Sequence, residues 1–552
     1  MEFARSPRGR ALIGTAGALV IYCLASALLL GRHALADPNH VCACIGNGDP
    51  PSYMWALKWW PYAITHGTDP LYTHLAWSPT GDNVAAAPLI PLPSVLAWPL
   101  TATIGLLPSY DVITLLSPVL AATTAYLLCV YLTRRWLPSL AGGWVFGFSS
   151  YELTAVVGHA MLMMIALVPL MVLLVLLRLD RRVGRGLFVG GMLVLFAAQL
   201  LTSTEVLATS CGFGALALVI AWIAMPAQRS DLARIAIELV AAGLVAAVIT
   251  SPYLYEDFAG TQPAAPPGAT SNAIADLAGV VIPTQVTLLH YGQGVAANFP
   301  GNIAEQSAYL GVPLLIVLSL LLWERRRRPG TWVLGGVALV ALVLSLGPHL
   351  HIAGHSTIPL PAIAFPHLPV LRAVVPGRLT LYVWLVVAIA TALWLATPGR
   401  WRAARWAVAI AGIVLILPNG SSPLFSGRPS LPLLFTTNAY KRVIPRNGTA
   451  LILPFGSYGP SMLWQAQTNF WFRMPEGALT VYPPPAFGHD PIAQPFFKSP
   501  SPVPPASLRA FLSRYHVSVV VLDPATAAGW PAALAAAGLR GRPVDGALVY
   551  EV

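Results

Sequence analysis

Charge is scarce in this chain. Asp, Glu, Lys and Arg make up 10% of its 552 residues, while hydrophobic types make up 56%. Soluble domains carry about 25% charged residues, so the composition excludes an ordinary water-soluble enzyme. Cysteine is sparse too, with five residues. Cys23, Cys129 and Cys211 lie inside apolar runs and read as small buried hydrophobes. Cys42 and Cys44 form a C-x-C pair, expected to be too close for an easy disulfide and too few for a metal site. Lys and Arg are missing altogether from Tyr253 to Ser307. The net charge of +11 falls mainly in short clusters between apolar runs, where it orients helices rather than binding nucleic acid.

What the chain does have is a series of apolar runs of roughly 17–22 residues, long enough to cross a hydrocarbon core of about 30 Å. It therefore reads as an α-helical polytopic protein of the plasma (inner) membrane. Arg5, Arg8 and Arg10 place the N-terminus in the cytoplasm. Arg134 with Arg135, Arg178 to Arg185, Arg229 with Arg234, and the clusters at 324–328 and 400–405 belong on the same side. The Lys/Arg-free loop then lies outside. Eleven spans satisfy this: 11–31, 111–132, 139–157, 161–178, 186–202, 205–225, 235–252, 308–323, 330–346, 379–397 and 405–418. The first run ends in an A-x-A-like stretch resembling a signal peptide, but its length fits an uncleaved helix. The apolar stretch 88–107 holds Pro88, Pro91, Pro93 and Pro99, which remove helix hydrogen bonds that lipid cannot replace. It is expected to be interfacial or re-entrant.

From about residue 419 the apolar runs shorten. Strands are expected at 448–455, 517–524 and the final "ALVYEV", with helices at 507–515 and 529–539. The expected organisation is a transmembrane domain, 1–418, and a small extracytoplasmic α/β domain, 419–552. The transmembrane domain includes outer loops at 33–110, with interfacial helices, and 253–307. The α/β part has no Gly-rich nucleotide loop.

The chemistry-bearing residues gather in the outer segments. Asp49 precedes "PPSYMWALKWWPYAIT", read as an amphipathic helix with tryptophans at interface depth. Asp49 is placed to cap that helix, and a capping carboxylate can still act as a base. Asp69-Pro70 begins another turn. In "LRAVVPGRL", Arg372 and Arg378 stand at the outer mouth of a span, where guanidinium suits either phosphate oxygens or neighbouring acids. Glu205, at an outer turn, is a candidate site acid or a simple helix cap. His159 begins a span at the outer face, and Asp257 follows one in "SPYLYEDFAG".

A long first outer loop with an acid soon after the first helix, followed by ten or so spans, resembles the GT-C class of membrane glycosyltransferases. "GDPPSYMWALKWWPYAITHGTDPLYTHLAWSPTG" is similar to the opening loop of uncharacterised bacterial GT-C-like proteins that share features with the YfhO-type group. The resemblance implies sugar transfer from a polyprenyl-phosphate donor to a glycan, lipid or protein acceptor. It also implies that Asp49 is the catalytic base or helps hold a divalent cation such as Mg or Mn, and that Arg372 and Arg378 face the donor phosphate. Asp69, His159, Glu205 and Asp257 are supporting candidates. The chain lacks a D-x-D or Asp-Glu pair at Asp49, which weakens the case for metal. A transporter or flippase would show internal repeats and mid-membrane charges, and neither is seen. A non-catalytic envelope-assembly protein is the other alternative.

Overall fold

The computed structural model describes residues 7–87, 89–259, 273–368, 371–480, 482–497 and 500–552. Arg5, Pro88 and residues 260–272 of the Lys/Arg-free loop fall outside these ranges. The chain is mostly helical. Among the described residues six helices are long and apolar enough to cross a membrane: Leu12–Leu29, Leu106–Thr133, Ala160–Leu179, Thr204–Ala224, Pro226–Ile249 and Pro376–Leu395. Arg185–Leu200, Gly311–Glu324 and Pro329–Ser345 are apolar but shorter.

The stretch expected as one span at 139–157 is two helices, Trp136–Gly147 and Ser150–Gly158. The break has a local cause. Ser149 accepts the backbone N–H of Glu152 at 3.2 Å, so an S-x-x-E signature starts a new helix inside the apolar run. At 91–103 there are two six-residue helices, Pro91–Leu96 and Trp98–Thr103, each opened by a proline. Each rises only about 9 Å, too little to cross the membrane.

The chain divides into two compact units. One comprises Met1–Leu35, Ile113–Ile249 and Ala265–Phe425; the other comprises Ala36–Val112, Thr250–Ala264 and Ser426–Val552. The first is a helical bundle centred on Thr380–Leu395, a helix buried on almost every side. Helix Trp136–Gly147 packs closely on it because Gly142 has no side chain. A β-carbon there would lie 2.8 Å from the Ala388 carbonyl oxygen.

In the second unit, residues of the first loop fold with the C-terminal residues. Helix Pro50–His66 is buried along most of its length, not laid in an interface. Its tryptophans each find a specific acceptor: Trp55 donates to Gln465 Oε1 at 2.7 Å, Trp59 to the Pro70 carbonyl and Trp60 to the Leu89 carbonyl, both at 2.9 Å. Trp55 and Trp59 stack, and the Phe470 ring meets both edge-on. A buried indole with a satisfied N–H is stable in a core, which is why an interfacial signature ended inside the protein. A four-stranded sheet has the order Ala450–Leu453, Val519–Leu522, Ala547–Glu551, Gly541–Val544, its first pair parallel and the others antiparallel. Helices Pro505–Arg514 and Trp530–Ala536 fall where the sequence puts them. The strand Gly541–Val544 was not foreseen. Its residues are mostly exposed, so it shows no apolar alternation, and the turn Asp545-Gly546, both at positive φ, forms the hairpin.

Cys42 and Cys44 form a disulfide, against the sequence expectation. Their Cα atoms are 5.1 Å apart, within the span a disulfide bridges, because the chain bends sharply at Ala43 instead of running extended.

Candidate functional site

Arg378 is the centre of a largely buried charge cluster in the helical unit. It opens the span Pro376–Leu395, and its neighbours come from three other segments. Its Nε and Nη2 form a fork on Glu305, at 3.1 and 2.6 Å, and its Nη1 donates to Glu205 at 2.5 Å. His159 Nε2 lies 3.7 Å from Glu305 Oε1. The side chains are largely withdrawn from solvent, at 15% exposure for Arg378, 17% for Glu205 and 6% for Glu305. Around them, Ser307 and Thr380 share a hydroxyl hydrogen bond of 2.7 Å, and Ser307 also donates to the Gly377 carbonyl. These bonds fix the turn that carries Arg378.

Glu205 does not cap its helix. Ser203 does, accepting the Val206 N–H at 3.3 Å, which leaves the Glu205 carboxylate in the first turn for Arg378. A carboxylate there also gains from the helix dipole. The guanidinium of Arg378 is thus engaged by two carboxylates, and a phosphate would have to displace one. Arg372, six residues upstream, is different. It is exposed and has no side-chain partner among the described residues.

The remaining candidates belong to the other unit. Asp49 is exposed at the N-cap position of helix Pro50–His66, but its side chain makes no capping hydrogen bond. Pro51 lacks the N–H that a cap would bond, and the Ser52 N–H donates to the Asp49 backbone carbonyl at 2.9 Å. Asp69 lies beyond the other end of the helix, roughly 25 Å away along its axis, and accepts the Leu71 N–H at 2.8 Å in an Asx-type turn. Asp257 is half-buried on helix Ser251–Ala259, whose Glu256 accepts from Asn83. The structure therefore gathers Arg378, Glu205 and His159, and holds Asp49 and Asp69 apart.

Three acids escaped the sequence reading. Glu305 lies in the Lys/Arg-free loop, where an acid without nearby cations was the only signal. Its partner comes from 73 residues downstream. Glu152 is fully buried, bonded to Ser117 Oγ at 3.0 Å. Asp111 is buried and accepts the Ala43 N–H at 2.8 Å, tying the disulfide loop to the helix Leu106–Thr133. Among the described residues no three His, Cys, Asp or Glu side chains converge as a metal site. The donor set does not fit the divalent cation that the resemblance implies, so no step is derived through one.

Residues 19–417 match the family described as a domain of unknown function, DUF6311, and the chain belongs to that family. No curated protein matches the sequence. Among solved structures it is similar to arabinofuranosyltransferase AftD from mycobacteria, at 14% identity and TM-score 0.61, covering 98% of this chain and 40% of that one. It is also similar to apo ArnT from Cupriavidus metallidurans, at 13% identity and TM-score 0.51, covering 98% of each chain. The chain thus spans about two-fifths of the length of AftD. The fold is that of the GT-C membrane glycosyltransferases.

Proposed function

We propose that this protein is a membrane glycosyltransferase that moves a sugar from a polyprenyl-phosphate donor to an extracytoplasmic glycan, lipid or protein acceptor. One combination carries the reading: a GT-C fold along 98% of the chain, and an exposed carboxylate, Asp49, that heads the first-loop helix without capping it. In the proposed reaction Asp49 takes the proton of the acceptor hydroxyl. The acceptor oxygen bonds to the anomeric carbon as the bond from that carbon to the phosphate oxygen breaks. The electron pair leaves with the polyprenyl phosphate, whose charge Arg372 stabilises. Arg378, Glu205 and His159 support the outer mouth of the bundle, and Asp69 and Asp257 are assigned no chemical step. The proposal includes eleven crossings of the plasma membrane, a cytoplasmic N-terminus and an extracytoplasmic α/β domain at 419–552.

The test uses purified protein in nanodiscs with a panel of labelled polyprenyl-phosphate sugars. Wild type is expected to release label from one donor, with EDTA making no difference. Arg372→Ala is expected to weaken donor binding by about tenfold or more, the worth of a charge-assisted contact. Binding of no donor would sink the reading and move the protein to the transporter or assembly class.

A further inference from the structure

Lys58 is the only Lys or Arg between Arg32 and Arg134. It sits on the buried helix Pro50–His66, half-withdrawn from solvent, and its ammonium donates one hydrogen bond, to the Thr101 carbonyl at 3.3 Å. No carboxylate pairs with it among the described residues. A cation held out of water normally brings its own counter-ion, as Arg378 does here. Burial accordingly pushes the Lys58 amine below its ordinary range.

The ammonium opens into a cavity of about 100 Å³, walled by Tyr62, His66, Trp98, Thr101 and Asn469. At about 10–15 Å³ of such space per water, that is room for several waters. It accommodates a phosphate group. The polar groups around it are largely donors or neutral: the Lys58 ammonium, the exposed Asn469 amide, and His66, whose ring stacks on Tyr62 at 4.0 Å. Trp98 in the cavity wall is 41% exposed. Apolar residues close to the lining ones in sequence are exposed as well: Leu96 70%, Ile64 54% and Ile104 45%. A pocket holding an unpaired cation, with an exposed tryptophan in its wall and exposed apolar residues next to its lining in sequence, matches a molecule with a phosphate head and a hydrocarbon tail.

We infer that this cavity binds the phosphate of an anionic membrane lipid, with Lys58 as its counter-ion and the tail along Leu96, Trp98 and Ile104. The site needs no sugar transfer, so it stands or falls separately from the proposed reaction.

The test counts lipids on the full-length protein by native mass spectrometry. Protein in neutral detergent is titrated with phosphatidylglycerol, phosphatidylcholine or inorganic phosphate. Wild type is expected to retain phosphatidylglycerol in preference to phosphatidylcholine. Lys58→Gln should bind it about tenfold more weakly and Lys58→Arg should keep it. Trp98→Ala, a change at an exposed position, should also weaken binding while leaving the unfolding temperature in place. It covers the case in which Lys58→Gln fails to fold. Equal retention of phosphatidylglycerol by wild type, Lys58→Gln and Trp98→Ala would overturn the inference. So would displacement of the lipid by inorganic phosphate at matching concentration, which would make the pocket a free-anion site.

Discussion

Charge is buried in two ways in this molecule. Around Arg378, one guanidinium is enclosed by the carboxylates of Glu205 and Glu305, with His159 beside them. At Lys58, an ammonium is half-buried with a single carbonyl for company. The first arrangement is internally satisfied. It holds together segments distant in sequence and offers little to a ligand. The second is incomplete, and so is Arg372, which is exposed and has no side-chain partner among the described residues. Paired charge builds the frame, and unpaired charge is left for something else to meet. The sequence alone does not separate these cases: Arg372 and Arg378 look alike in "LRAVVPGRL" and have opposite surroundings in the fold.

Breaking the paired side should have the largest effect. Arg378→Ala leaves two carboxylates uncompensated in the bundle and is expected to cost about 3–5 kcal/mol, seen as a large drop in unfolding temperature and folded yield. Arg372→Ala should leave both unchanged, since it removes an exposed side chain with no partner. A marked loss of stability in Arg372→Ala would erase the distinction.

A buried acid with a hydroxyl partner should behave between these extremes. Glu152→Ala strips the bond to Ser117 and is expected to cost about 1–3 kcal/mol. Glu152→Gln keeps a hydrogen-bonding group there and should lose less. Chemical denaturation of the two variants measures the difference, and equal losses would show that the carboxyl group itself matters, not the space it fills or a substitute hydrogen-bonding group.

A pH dependence is expected in the sheet-bearing unit. Glu476 accepts the N–H groups of Ile452 and Gly456, and complete burial pushes its carboxyl up to about 8. An acid raised in the folded state binds more protons there than when unfolded. Its contribution is therefore full below its ordinary value of 4.5 and is lost as pH rises through about 8. The unfolding temperature should fall over that interval, and Glu476→Gln should flatten the slope.

Much of the helical layout was legible because a span of apolar residues has few other uses. Two local signals were present and undervalued: Ser149 with Glu152, which splits one span, and Asp545-Gly546, which makes the last hairpin. The aromatic helix was misplaced for a different reason. Trp55, Trp59 and Trp60 suit an interface or a core equally well, and only their acceptors, one of them more than 400 positions away at Gln465, decide between the two. The site was legible in parts. Glu205 and His159 were singled out for their position, but Glu305 was not, because its role exists only through Arg378. Lys58 was passed over inside an aromatic stretch, although its isolation from every other cation could have marked it.

The central claim, that Asp49 is the general base of sugar transfer, is tested most directly by one comparison. Label transfer from the preferred donor is measured for wild type and Asp49→Asn at equal folded protein, with donor binding measured alongside. The account predicts unchanged donor binding, an unchanged unfolding temperature and transfer slowed by about 10²–10⁴-fold, the usual worth of a general base. Transfer at the wild-type rate by Asp49→Asn would contradict it.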